Sequence, residues 1–244
     1  MSLLTEPKAL EASAIELSKK ARAENGSPIA LFKNFLQVEE ERLREWHRDG
    51  GGGREIARHR ADTVDILLRE LFDGIVREVA TAPLAGRLCV TAFGGYGRRE
   101  LTPMSDIDVL FLQDKSTRDK EAEEIIRRTV VALWDIGFKV GQATRNISEA
   151  IEKSNEDMVT KTSMLESRYL TGDREIFNRF KERFQRECID GREQEYIGWR
   201  LANQGEMRAK YGLSVFMQEP NIKNGTGSLR DYQSLLWISQ FKLG

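Results

Sequence analysis

Cysteine, histidine and proline are all scarce in this chain of 244 residues. Its two cysteines, Cys89 and Cys188, cannot build a disulfide framework. Cys89 lies in an apolar run, where a small buried hydrophobe is expected. A reducing, cytoplasmic compartment fits that usage. The only histidines, His47 and His59, leave no room for a histidine-rich metal site or a Ser-His-Asp arrangement. Both are expected on helix surfaces. No apolar run approaches the ~20 residues of a spanning helix, so no membrane partner is expected. The amino terminus, MSLLTEPKAL, lacks the basic start and apolar core of a signal peptide. A net charge of −1 argues against nonspecific electrostatic binding to nucleic acid.

What the chain does have is enough apolar residue, 40%, to bury a core. Residues 1–80 read as a helical lead-in. Leu10 to Ala23 is amphipathic, and a second helix is expected from Pro28 to His47. The four glycines Gly50 to Gly53 break it, because glycine is entropically costly inside a helix. A third helix fits Arg54 to Val79, with Ile56, Val64, Leu67, Leu68, Leu71, Phe72, Ile75 and Val79 at helical spacing. At Thr81-Ala82-Pro83 the pattern changes. Arg87–Phe93 and Ile107–Leu112 are short apolar runs suited to buried strands. Lys120 to Ile136 carries a helical stripe ended by Gly137, and Phe138 to Asn146 reads as a third strand. Residues 148–244 read as helical. The expected class is α/β (α+β): a small mixed-sheet core over 81–147 between a helical lead-in and a helical follow-on.

The chemistry concentrates in TAFGGYGRRELTPMSDIDVLFL, Thr91 to Leu112. Gly94, Gly95 and Gly97 allow positive φ and let an anion approach backbone amides with no Cβ in the way. Arg98 and Arg99 place guanidinium groups beside them. Taken alone, the glycines also fit an ordinary tight turn. Asp106 and Asp108 are two apart in an extended segment and so share a face. Two carboxylates ~6 Å apart repel by about 3 kcal/mol at an effective dielectric near 20, and a divalent cation removes that penalty. Taken alone, the pair also fits a solvated strand end. Together, a phosphate cradle and a metal-binding pair are what nucleotide transfer from a triphosphate requires. No Gly-Lys-Ser/Thr follows the glycines, and Glu100 stands where a dinucleotide fingerprint wants Gly or Ala, so a P-loop and a Rossmann site are both excluded.

At these residues the chain resembles the DNA polymerase beta-like nucleotidyltransferases. The run Gly94 to Leu101, Pro103 and Ser105-Asp106-Ile107-Asp108 narrows the resemblance to the bacterial PII uridylyltransferases, which also remove uridylyl groups in nitrogen regulation. Further similar segments are Gly141-Gln142-Ala143-Thr144-Arg145, Leu165 to Leu170, Glu219 to Lys223, and Leu229-Arg230-Asp231. In this chain Arg99 stands where that family usually has glycine, Gln142 where it has histidine, and Ser228 where it has a second glycine.

The resemblance implies a magnesium- or manganese-dependent enzyme that moves UMP from UTP to a tyrosine of a PII-type protein. It implies metal at Asp106 and Asp108, and nucleotide at Gly94, Gly95, Gly97, Arg98, Ser105 and Arg145. The third strand carries no acid, so Glu166 is the candidate third metal ligand, or else an ion-pair partner of Arg168 or Arg145. The segment from Leu165 to Leu170 is expected in a helix, and Ser228 with Asp231 as a helix capping box. The alternatives are a non-catalytic nucleotide-binding module and a transferase with another acceptor. The family continues into a metal-dependent phosphohydrolase domain with a His-Asp pair and two sensing domains. This chain has no His-Asp dipeptide and is expected to be either a truncated or a stand-alone transferase.

Overall fold

The computed structural model describes residues 12–17, 19, 28–82, 87–114, 119–212, 214, 216 and 218–243. Residues 12–17 are helical, and the rest of the amphipathic lead-in falls largely outside the described residues. Helix α1 spans Ile29–Arg48 and α2 spans Gly53–Val79. The glycine run separates them as expected, with Gly52 in extended backbone at the start of α2.

Strand β1 (Leu88–Ala92) leads into a one-turn helix, α3 (Gly94–Gly97), and then into β2 (Ile107–Gln113). Helix α4 (Lys120–Ile136) and strand β3 (Val140–Asn146) follow. Asp119 starts α4 by accepting from the Ala122 amide at 3.1 Å, and Gly137, at φ 113°, ends it. After α5 (Ile147–Glu156) and α6 (Met158–Leu165) comes a fourth strand, β4 (Arg168–Gly172). The helix expected across Leu165 to Leu170 is therefore corrected: that segment leaves α6 and pairs with β1, Ala92 opposite Arg168. Helix α7 (Arg174–Phe184) passes through a π-helical stretch, Gln185–Ile189, before α8 (Glu193–Tyr211) and α9 (Leu229–Leu243).

The sheet order is β3-β2-β1-β4, with β2 parallel to β3 and antiparallel to β1. One face, carrying Leu88, Val90, Ile107, Val109 and Phe111, is buried against α2 and α4 through Leu67, Leu71, Phe72, Ile125 and Leu133. His59 on α2 is buried, 3.8 Å from Glu39 Oε2, which corrects the expectation of a surface residue; His47 is exposed as expected. Cys89 is buried, as expected.

The chain divides into two compact units, Met1–Ser148 with Glu166–Arg179, and Glu149–Leu165 with Phe180–Gly244. In the second, Tyr196 of α8 stacks on Phe241 of α9 at 3.7 Å between centroids, and buried Arg200 donates to Ser234 at 2.9 Å. The expected capping box on α9 is displaced. Asp231 accepts from the Gly227 amide at 2.9 Å, and the Ser228 hydroxyl donates to the Lys223 carbonyl instead.

Candidate functional site

Because β1 and β2 are antiparallel, the end of β1 lies beside the start of β2, and the glycine turn meets the acid pair there. The Phe93 amide donates to the Asp108 carbonyl at 3.1 Å. Gly94 takes φ +58°, and a Cβ on it would sit 3.4 Å from Asp108 Oδ2. The turn closes through Gly97 N–H to Phe93 and Arg98 N–H to Gly94, both at 3.1 Å. The amides of Gly94, Gly95 and Tyr96 precede that first bond and have no partner within the turn. They are the donors such a turn offers to an anion.

Asp106 is exposed, one residue before β2 begins, and Asp108 is half-buried within it. Among the described residues neither carboxylate has an ion-pair or hydrogen-bonding partner. Burial pushes the Asp108 carboxyl above its ordinary range, and the neighbouring Asp106 charge pushes it further in the same direction. Gly141, paired with Asp108 across the parallel ladder, makes room for that carboxylate, because a Cβ there would overlap Asp108 Oδ1. Sequence reasoning missed Gly141 as a site residue. The signal was a glycine inside a strand, which marks close approach of another group.

The other residues expected at the site have different partners. Gly97 is needed for packing: a Cβ would overlap the Glu166 carbonyl and lie 3.3 Å from that of Ala92. Arg98 donates to Glu166 at 2.5 Å and to Glu100 at 2.7 Å, so its guanidinium is already engaged. Glu166 is thus an ion-pair partner of Arg98, not of Arg168 or Arg145. No group of three His, Cys, Asp or Glu able to hold a metal occurs among the described residues. The Ser105 hydroxyl pairs with that of Thr102 at 2.7 Å. Arg145 stands opposite Leu112, four residues beyond Gly141 and so ~13 Å along the strand from the acid pair's level. Its Nη1 is buried without a hydrogen-bond partner. Arg99 is the one non-glycine residue at positive φ among those described, at 60°, and it pairs with Asp62 of α2.

A turn with open amides against two unpaired carboxylates can take a polyphosphate and a hard divalent cation together. The donor set suits magnesium, which binds through one or two carboxylates and completes its shell with phosphate and water. Comparison with known proteins points to nucleotidyl transfer. Residues 40–164 match the family described as "Putative nucleotidyltransferase DUF294", and residues 197–243 match "GlnD PII-uridylyltransferase". The bifunctional uridylyltransferase/uridylyl-removing enzyme of Phenylobacterium zucineum is 39% identical over 239 residues, 95% of this chain and 25% of that enzyme. Those of Caulobacter vibrioides (strain NA1000 / CB15N) and Erythrobacter litoralis are 38% and 34% identical, over 96% and 94% of this chain and 24% and 26% of theirs. The chain spans about a quarter of the length of the curated relatives it matches.

Proposed function

This chain belongs to the nucleotidyltransferase family matched by residues 40–164, and from that premise we propose that it transfers UMP from UTP to a tyrosine hydroxyl of a PII-type regulatory protein. The observation that carries the reading is the unpaired Asp106–Asp108 couple beside the open amides of Gly94, Gly95 and Tyr96. The choice of uridylyl group and PII acceptor rests on the names of the matched family and relatives. On this proposal the protein acts in cytoplasmic nitrogen regulation.

Asp106 and Asp108 hold magnesium or manganese in this scheme. The bound ion supplies neutralisation of phosphate charge at the reacting centre. The turn amides take the phosphate oxygens and fix the α-phosphorus for in-line attack. The tyrosine oxygen forms a bond to the α-phosphorus as the bond to the α,β-bridging oxygen breaks. Pyrophosphate leaves with that electron pair, and the hydroxyl proton passes to solvent.

A non-catalytic nucleotide-binding module is the second reading. It is favoured by the engagement of Glu166 with Arg98, which leaves the pair without a third acid among the described residues. Incubation with magnesium, α-labelled UTP and a PII-type protein tests both readings. Label is expected on the acceptor with the parental chain and not with Asp108→Asn. Transfer by that variant at the parental rate sinks the metal assignment, and UTP binding without pyrophosphate release establishes the second reading.

A further inference from the structure

We propose that Arg168, braced by Asp65, is a positioning residue for the polyphosphate: it caps the carboxyl end of the glycine turn and so fixes the amides at the other end. The inference rests on the nucleotide-binding reading above.

The bracing begins on α2. Its residues 62, 65, 69 and 73 follow helical spacing and form a polar stripe. Asp62 pairs with Arg99, and Arg69 donates to the Leu170 carbonyl at 3.0 Å. Asp73 accepts from the Thr171 hydroxyl at 3.4 Å. Asp65, buried, receives Arg168 through both carboxylate oxygens, at 2.5 and 3.1 Å. Arg168 is the first residue of β4, and its side chain turns back toward α3. Its Nε donates to the Gly97 carbonyl and its Nη2 to the Tyr96 carbonyl, both at 3.2 Å. The guanidinium also lies 5.5 Å from the centroid of the buried Tyr96 ring.

Both carbonyls lie at the carboxyl end of the turn, where a single helical turn leaves its acceptors short of donors; the Tyr96 carbonyl also accepts from the Arg99 amide at 3.1 Å, and Arg168 adds a donor to each. A cation there complements the turn's dipole, whose positive end is the amides of Gly94, Gly95 and Tyr96. The same peptide units are tied at the amide side, through Gly97 N–H to Phe93 and Arg98 N–H to Gly94. The turn is therefore held at both ends, and its open donors stay directed at the space beside Asp108. Gly97 makes the arrangement possible: its missing Cβ lets the chain at Glu166 lie against the turn and brings Arg168, two residues on, within reach. A planar fork is needed to serve a carboxylate and two carbonyls at once, and lysine has no such fork.

The test uses Arg168→Lys and Asp65→Asn, titrated calorimetrically with UTP and with inorganic tripolyphosphate, each with magnesium. Near-ultraviolet circular dichroism and unfolding temperature report the fold. Arg168→Lys is expected to raise the dissociation constants for both probes by the same factor, about tenfold, as loss of a charge-assisted contact implies. Asp65→Asn is expected to act in the same direction by a smaller factor, and it decides the matter if Arg168→Lys does not fold. A lower unfolding temperature with both dissociation constants unchanged would make the pair merely structural and overturn the proposal. Parental protein that binds neither probe removes the nucleotide reading itself and this inference with it. Parental binding with unaltered variant binding removes only the inference.

Discussion

The two ends of the β1–β2 ladder treat aspartate in opposite ways. Where β1 begins, Arg87 donates to both oxygens of Asp119, at 2.6 and 2.7 Å, and to Glu121 at 2.9 Å. The hydrogen bond from Arg87 holds the Asp119 carboxyl below its usual range. Where β1 ends, Asp106 and Asp108 lie near one another with no cationic partner among the described residues, and burial followed by the Asp106 charge raises Asp108. The fold supplies a counter-charge to the acid that starts a helix and withholds it from the pair beside the glycine turn. A protonation preference that opposes folding persists in a native state when something outside the chain relieves it.

The sharpest way to break that contrast is Asp108→Asn. Transfer is expected to fall by about 10³-fold or more, as loss of metal-borne charge stabilisation implies. The metal-free protein is nevertheless expected to become more stable. The native carboxyl binds its proton more tightly than the unfolded one, so ionisation at neutral pH opposes folding, and that penalty is relieved only as pH falls through the raised native value. Removing it should raise the unfolding temperature by roughly 2–4 °C per kcal/mol for a chain of this size. Differential scanning calorimetry in chelator checks the sign.

Two glycines separate site from scaffold in the same spirit. In Gly141→Ala the new methyl meets only the end of the Asp108 side chain. Transfer should drop about 100-fold, the effect of misplacing a reacting group by an ångström, with little change in denaturation midpoint. In Gly97→Ala the methyl meets the main chain at Glu166, which cannot swing aside. Unfolding free energy should fall by about 1–3 kcal/mol in a urea titration.

The opposite end of the ladder gives a smaller effect. Asp119→Ala removes a helix cap and an ion pair, and about 1 kcal/mol of stability should go with them, while transfer is unchanged. The native Asp119 value lies below the unfolded one, so its contribution is full above about pH 4 and is lost as pH falls through the native value. Acid titrations of parent and variant should therefore differ at neutral pH and converge at the acid end. The smallest change is expected for Arg99→Gly. It relieves a left-handed residue, worth about 1 kcal/mol, but gives up the exposed pairing with Asp62, and the net shift should stay under about 0.5 kcal/mol in equilibrium unfolding.

These contrasts also mark what could be read from the chain. The apolar stripes of α2 and α4 and the runs that became β1 and β2 are local patterns, and the helices and strands fall within a residue or two of where those patterns put them. The glycine turn and the Asp-x-Asp segment were legible because their spacing has its own chemistry. Strand β4 was not legible. Its five residues, Arg168–Gly172, have no alternating burial, and its pairing with β1 is made across a long sequence separation. Side-chain partners were lost for the same reason. Arg98 reads as a phosphate ligand beside its glycines, but Glu166 reaches it only once the chain has returned along α3. Arg168 reads as an ordinary charge until Asp65, more than a hundred residues earlier, is brought to it by α2.

The acid pair as a metal–triphosphate site is tested most directly by unfolding temperature measured against rising UTP in magnesium, for the parent and for Asp108→Asn. The parental curve should start lower and climb, gaining about 2.7 kcal/mol of stability at a hundred times the dissociation constant, while the variant starts higher and stays flat, so that the curves cross. Two curves that climb in parallel would contradict the account.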